Sequence, residues 1–442
     1  VCLLGLLAPL WPALEAHPGH GGGGGGESVP AAALGPTPCV NGSAGGYPCA
    51  RIAVESFMPS NTIGGGRTND IWGWTDPITG KEYAIVGRTT GTSFVDLSNP
   101  GAPVYLGNLP THSQQSIWRG IKVYADHAFI ISEAGGHGLQ VFDLTQLRAV
   151  AAPPVTFTET AHYAGFSRAH TVAINEDSGF LYAVGSNTCA GGLHMVDIRT
   201  PTAPVFAGCF SADKYTHETQ CVVYHGPDGR YLDREICFNS NEDTLTIVDV
   251  TNKAAPAMLA RKAYPGRGYT HQGWLTSDQR YFLLDDETDE TRFKTNSRTH
   301  VFDLVDLRLP QVVGIHEGAS TAIDHNQYVR GNHTFQSNYA SGLRILDLDG
   351  IATAQLREIA FFDVRPEDDK RDYIGTWSNY PFFASGIVIV GSIERGLFVL
   401  RPNLSPLTGA DLVVSKLSSA SLAGAGQSLM VTDITRNQGA AA

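Results

Sequence analysis

The chain has 442 residues, 31 basic against 43 acidic, and a net charge of −12. That balance, with no Lys/Arg run, argues against a duplex-DNA or anionic-membrane binder working through a basic patch. Only 17% of the residues are charged while glycine reaches 49, which suits short strands joined by tight turns rather than helices.

Residues 1–16 are apolar and read as the core and cleavage site of a secretory signal peptide. No other stretch is long and apolar enough to span a membrane. Residues 17–38 are Gly/Pro-rich and read as a flexible linker. Setting Cys2 aside, six cysteines remain, an even number suited to an oxidising compartment. Cys39 and Cys49 flank a Gly-rich loop. Cys221 and Cys237 fall on consecutive strands of one repeat, and Cys189 and Cys209 lie in another. Three bridges are expected in that order: Cys39–Cys49, Cys189–Cys209 and Cys221–Cys237.

From residue 39 to 403 one short pattern recurs seven times: a hydrophobic run ending mostly in Asp, then a turn. Its copies end at Leu97, Asp143, Asp197, Asp249, Asp303, Asp347 and Arg401, 44 to 54 residues apart. Strand-rich units at that period predict an all-β, seven-bladed propeller. Each blade reads as four strands, A to D. In the third these are 170–174, 180–184, 193–198 and 205–210. The recurring Asp is expected to cap the turn between strands C and D through its side chain. The stretch 50–59 resembles a strand D, and the last blade stops after strand C. The N-terminal strand is therefore predicted to complete blade 7 and close the ring.

Aligning the start of strand A across blades places Trp72, Trp118, His170, His217, His271, His325 and Trp377 in one register. The position after it is mostly polar and includes Arg119, Glu218, Gln272 and Asn326. Strand A lines the channel of a propeller, so these residues are predicted to form a ligand site at its mouth. Three readings are open. His170, His217, His271 and His325 bind a transition metal such as Zn or Cu. The His/Trp set is a platform for an extracellular glycan, peptide or surface protein. Or each side chain merely packs the rim and bonds the next blade. The acidic run Asp285, Asp286, Glu287 and Asp289 is a calcium candidate, weighed against a solvated charged turn. No Gly-x-Ser-x-Gly, His-Glu-x-x-His, Walker or dinucleotide motif is present, so catalysis stays open.

Beyond residue 403, Ala410–Val414 and Gly426–Thr432 read as strands of a truncated Ig-like module. The runs 69–76, 192–198, 269–275, 322–326 and 377–383 resemble the choice-of-anchor B family, with LVIVD-type repeats such as Leu245-Thr246-Ile247-Val248-Asp249. The resemblance spans roughly residues 37–403. It implies an exported bacterial propeller whose surface anchor varies, and the tail resembles the start of a CARDB-type adhesion module. It carries no reaction. The expected function is a secreted or cell-surface binding protein; the alternative is a metal-dependent extracellular hydrolase using the same mouth.

Overall fold

A computed structural model describes residues 32–405 and the backbone of 412–419 and 431–437. Residues 39–402 form seven antiparallel sheets arranged as a seven-bladed β-propeller. The seven A strands are Thr68–Thr75, Arg119–Tyr124, Thr171–Asn175, Glu218–Val223, Thr270–Leu275, Asn326–Arg330 and Thr376–Tyr380. Blade 3 pairs as predicted, with strands Thr171–Asn175, Phe180–Val184, Leu193–Asp197 and Val205–Phe210 in order. Both faces of each inner strand are covered by neighbouring blades, so strands B and C are almost wholly buried: Tyr281–Asp286 and Leu245–Asp249 are buried at every position. Aromatic contacts bridge blades, as where Phe94 of blade 1 stacks on Phe142 of blade 2 at 4.6 Å. Burying each such ring contributes about 1.5–3 kcal/mol.

The Asp that ends strand C does cap the following turn. In all six blades that carry it, one carboxylate oxygen accepts the backbone N–H two residues on: Ser98, Thr145, Arg199, Thr251, Val305 and Asp349. This is the local Asx turn that short polar side chains favour.

The ring closes as predicted. Ile52–Pro59 pairs antiparallel with Gly396–Pro402 as the fourth strand of blade 7. Its own outer edge is covered by residues expected to be linker. Leu34 exchanges both backbone bonds with Phe57, and Thr37 does the same with Val54 (2.8–3.3 Å). The expected linker therefore stops short of residue 34, because an uncovered strand edge is an association hazard that the chain blunts with its own backbone. Tyr47–Ala50 adds to the outer edge of blade 6, on strand Arg357–Phe362. Blade 2 is irregular. Its fourth strand is only Ala161–Tyr163, and Val155–Thr156 crosses to pair in parallel with blade 1.

All three expected disulfides are present: Cys39–Cys49, Cys189–Cys209 and Cys221–Cys237. They fit an oxidising compartment outside the cytosol. No described helix is long and apolar enough to cross a membrane. The residues beyond 402 form a separate unit in which Leu412–Ser419 pairs antiparallel with Val431–Asn437. The predicted signal peptide lies outside the described residues.

Candidate functional site

Strand pairing fixes which residues of the seven A strands are equivalent. Thr171, Glu218, Gln272, Asn326 and Ser378 face the corresponding strand B positions Val184, Ser240, Asp285, Ser337 and Gly391. In blade 2 that position, Ile131, faces Gly120, so the preceding ring residue is Arg119 and not Trp118. In blade 1 a register shift between Thr68 and Ile71 leaves Trp72 opposite Ile85, three residues further along. The true ring is Asn69, Arg119, His170, His217, His271, His325 and Trp377. Trp72 belongs to another row, with Lys122, Ala173, Gln220, Trp274, Tyr328 and Tyr380.

The four histidines of the ring form a stack. Ring centroids are 4.0 Å apart for His170 and His217, 4.2 Å for His217 and His271, and 4.4 Å for His271 and His325. His217 Nδ1 donates to the His271 carbonyl (3.1 Å), His271 Nδ1 to the His325 carbonyl (2.9 Å), and His325 Nδ1 to the Trp377 carbonyl (2.5 Å). The bland expectation of a bond to the next blade is therefore met. Those bonds also fix the tautomer, so that Nε2 is the nitrogen able to coordinate. His271 Nε2 and His325 Nε2 each lie 3.7 Å from Glu287 Oε1. Their ligand atoms fall within 4.8 Å of one another, and all three residues are buried. His217 and His170 continue the stack, and His170 Nδ1 donates to Glu133 at 2.5 Å.

The electrostatics follow from burial. Burial pushes Glu287 up to about 7, against a Tyr339 hydroxyl that donates to it at 2.8 Å. Burial likewise pushes Glu218 up to about 7, with Lys122 and His170 opposing. Burial pulls His170 down, but the Glu133 carboxylate, with Glu218 and Glu287, holds it above its ordinary value.

His271, His325, His170, Glu218, Asn326, Trp118, Arg119 and Trp377 line one small cavity of about 20 Å³, with Asp70, Lys122, Thr171 and Tyr328. Lys122, Glu218 and Tyr328 also line a second cavity of about 440 Å³. Its wall holds Trp72, Trp274, Tyr328, Tyr380 and Phe382. These rings pack edge to face, with Trp72 5.0 Å from Tyr380 and Trp274 5.0 Å from Tyr328. The Lys122 ammonium lies 4.2 Å from the Trp72 ring centroid and 3.5 Å from Asp70. The seven residues of the Trp72 row all line this second cavity.

The expected residues divide between the two cavities, except His217, which lines neither. Trp72 sits in the larger cavity, and Gln272 spans to the next blade, where it exchanges two bonds with the Gln327 backbone (3.0 Å each). Asn326 donates to the Trp377 carbonyl at 3.1 Å. Arg119 is buried and donates to Thr111 at 2.8 Å.

The acidic run is not a solvated turn, since Asp285, Asp286, Glu287, Asp289 and Glu290 are all at most 1% exposed. Asp285 and Asp286 end a strand while Asp289 starts a one-turn helix, and that change of period sends neighbours in different directions. Asp285 accepts from Gln327, and Asp286 accepts from Tyr264 and the Gly268 and Tyr269 N–H groups. Glu287 faces the histidines, and Asp289 faces Glu290 and Asp324. Sequence reading missed Glu287 as a partner of the histidines, and it missed the aromatic wall. The wall was discoverable as aromatics three residues after the ring position.

Residues 238–262 match the LVIVD repeat. The fold has solved counterparts at low identity. The β-propeller domain of Myceliophteria thermophila Cps50 (Swd1) is 12% identical, with a TM-score of 0.51 over 78% of this chain and all of that one. Kuenenia stuttgartiensis hydrazine synthase is 9% identical, with a TM-score of 0.54 over 73% of this chain and 93% of that one. U3-55K is 10% identical, with a TM-score of 0.50 over 80% of this chain and 98% of that one. Among curated proteins none matches the chain. These likenesses show a propeller with an LVIVD repeat, an architecture suited to binding or adhesion.

Proposed function

We propose that this chain is an exported binding propeller that captures a glycan in its channel, beside a transition metal held by His271, His325 and Glu287. The observation that carries the reading is the convergence of two buried imidazoles and one buried carboxylate, with ligand atoms within 4.8 Å of one another. Two histidines and one carboxylate are a donor set used for Zn and for non-haem Fe, with positions left for a ligand. The adjoining cavity of about 440 Å³ has the size and the aromatic wall of a small-ligand site, and flat rings suit the apolar face of a sugar. Secretion, and display on the cell surface through an anchor beyond the propeller, follow from the apolar N-terminal run and the choice-of-anchor B resemblance.

Elemental analysis of purified protein tests the metal, and a glycan array with and without added Zn²⁺ tests the ligand. One equivalent of metal fewer in His271→Ala/His325→Ala than in the wild type is expected, together with array binding that weakens in Trp274→Ala. No metal in the wild type, no Zn²⁺ or Cu²⁺ effect on melting and a silent array would overturn the reading. A hydrolase is the second reading. It is favoured by Glu218, which sits in the same small cavity as His271 and His325 with its carboxyl pushed up to about 7, close to a general base's working range. Turnover of an arrayed glycan that disappears in Glu218→Gln would select it over simple capture.

A further inference from the structure

A second constellation lies off the channel, on residues that the proposed site does not use. Asp289, Glu290 and Asp324 bring carboxylate oxygens within 4.8 Å of one another, and each residue is at most 1% exposed. Two of the three present one oxygen while a backbone N–H holds the other. Asp324 Oδ2 accepts from the Arg298 N–H at 2.9 Å, and Glu290 Oε1 accepts from the Asp324 N–H at 3.1 Å. The opposite oxygens, Asp324 Oδ1 and Glu290 Oε2, meet no hydrogen-bond donor of the protein, nor does either oxygen of Asp289. Such buried carboxylates are costly unless a cation or donors compensate them. The nearest described cation is the Arg298 guanidinium, 3.8 Å from Asp289, and it is also engaged by Glu317 at 3.1 Å.

His300 points independently to a ligand. It sits on strand C of blade 5 (Arg298–Asp303), 1% exposed, and neither ring nitrogen makes a hydrogen bond. Its Nε2 lies 3.7 Å from Asp289 Oδ2, too far for a hydrogen bond but placed toward the cluster. The Tyr264 ring packs on the imidazole at 4.5 Å between centroids. A buried imidazole with no hydrogen bond, beside two half-satisfied carboxylates and one with neither oxygen satisfied, is a donor set awaiting an ion.

We propose that Asp289, Glu290, Asp324 and His300 bind a divalent cation of the Mn²⁺–Zn²⁺ class, at a site separate from the channel histidines. Three carboxylates with one imidazole suit that class better than Ca²⁺, which takes six to eight oxygens, or Cu(I), which prefers sulfur. Asp324 also lines a cavity of about 10 Å³ with Ser297, Arg298, Thr299 and Asn338, room for about one water. The two sites are back to back along the chain. Glu287 serves the channel and Asp289–Glu290 the cluster, and Asp324 directly precedes His325.

The test is Mn²⁺ titration of EDTA-dialysed full-length protein, followed by the free-ion EPR signal, with the melting temperature read alongside. The channel variant His271→Ala/His325→Ala should retain one tight equivalent, and adding Asp289→Asn/Asp324→Asn to that variant should remove it. His300→Gln in the same background should weaken it at least tenfold. A channel variant that binds no Mn²⁺ or Zn²⁺, with melting unmoved by either ion, would overturn the proposal. So would a combined variant, with Asp289→Asn/Asp324→Asn added, that binds as tightly as the channel variant alone. If the aspartate variant does not fold, His300→Gln decides: unchanged affinity overturns the site. Carboxylates that merely share protons would give no retained ion in any variant, which also overturns it.

Discussion

Replacing Phe57 by alanine tests whether the N-terminal strand closes the ring. Phe57 is 1% exposed on strand Ile52–Pro59, and its ring stacks on Phe398 of the partner strand at 4.3 Å and 23°. Tyr47 adds a tilted contact at 6.3 Å. Truncating a buried Phe to Ala costs roughly 3–5 kcal/mol through lost transfer energy and the cavity left behind. A propeller of about 370 residues has an unfolding entropy near 0.8 kcal/mol per degree at the midpoint, so the expected fall in Tm is about 4–6 °C. Val205→Ala, on the outer strand of blade 3 at 61% exposure, is the control and should shift Tm by less than about 1 °C. The assay is circular dichroism melting of the full chain with its disulfides intact. A Phe57→Ala protein that melts within about 1 °C of wild type would refute the closure.

Acid should weaken the fold through His137, which burial, with Arg119 beside it, holds down to about 3 while the unfolded chain keeps 6.5. The unfolded state then binds the extra proton, so this stability is present above pH 6.5 and is lost as pH falls, about 2 kcal/mol by pH 5. Urea melts at both ends of that range should show His137→Gln with a flatter pH dependence, and an identical slope would contradict it. Lys253→Met should cost about 3–5 kcal/mol, because the Lys253 ammonium lies 2.6 Å from the buried Glu235 carboxylate. Thermal or urea denaturation reads it, and a loss under 1 kcal/mol would mean that the Asn175, Ser178 and Tyr182 donors suffice. Asp303→Ala should remove one turn bond and cost only about 0.5–1.5 kcal/mol, measured by the same melts. The change also removes the exposed ion pair with Arg280 (3.0 Å), worth little at the surface, so a larger loss would contradict a purely local role for that Asp.

The repeat made the propeller, its closing strand and its three disulfides readable, because a period of 44 to 54 residues forces equivalent positions into equivalent places. The Asp turns were readable for the same reason. The channel was readable in five blades and misassigned in two. The four histidines and Trp377 sit at equivalent positions, His271 and Trp377 at a register shift like the one after Thr68 in blade 1, but Trp72 drew the assignment three residues along in blade 1, and Trp118 beside Arg119 drew it one residue back in blade 2. Tryptophans in the sequence attracted the alignment, while the pairing partners that decide it are invisible without coordinates. Glu287 and the cluster around Asp324 were hidden for another reason. A strand gives way to a helical turn within 285–290, so adjacent carboxylates leave on different sides, and their partners His300 and Asp324 come from elsewhere in the chain.

The strand that completes blade 7 precedes the whole of blade 1 in the chain. Ile52 pairs with Pro402, so the closing contact joins the two ends of the propeller sequence. A chain emerging from its N-terminus must carry Ile52, Val54 and Phe57 without their partner until every blade has been synthesised. Closure of the ring is therefore tied to its last strand, through one pairing of very large sequence separation among otherwise sequential hairpins. No shorter piece of the chain can form the closed ring, so a fragment that ends before Gly396 leaves both Ile52–Pro59 and the open side of blade 7 unpaired.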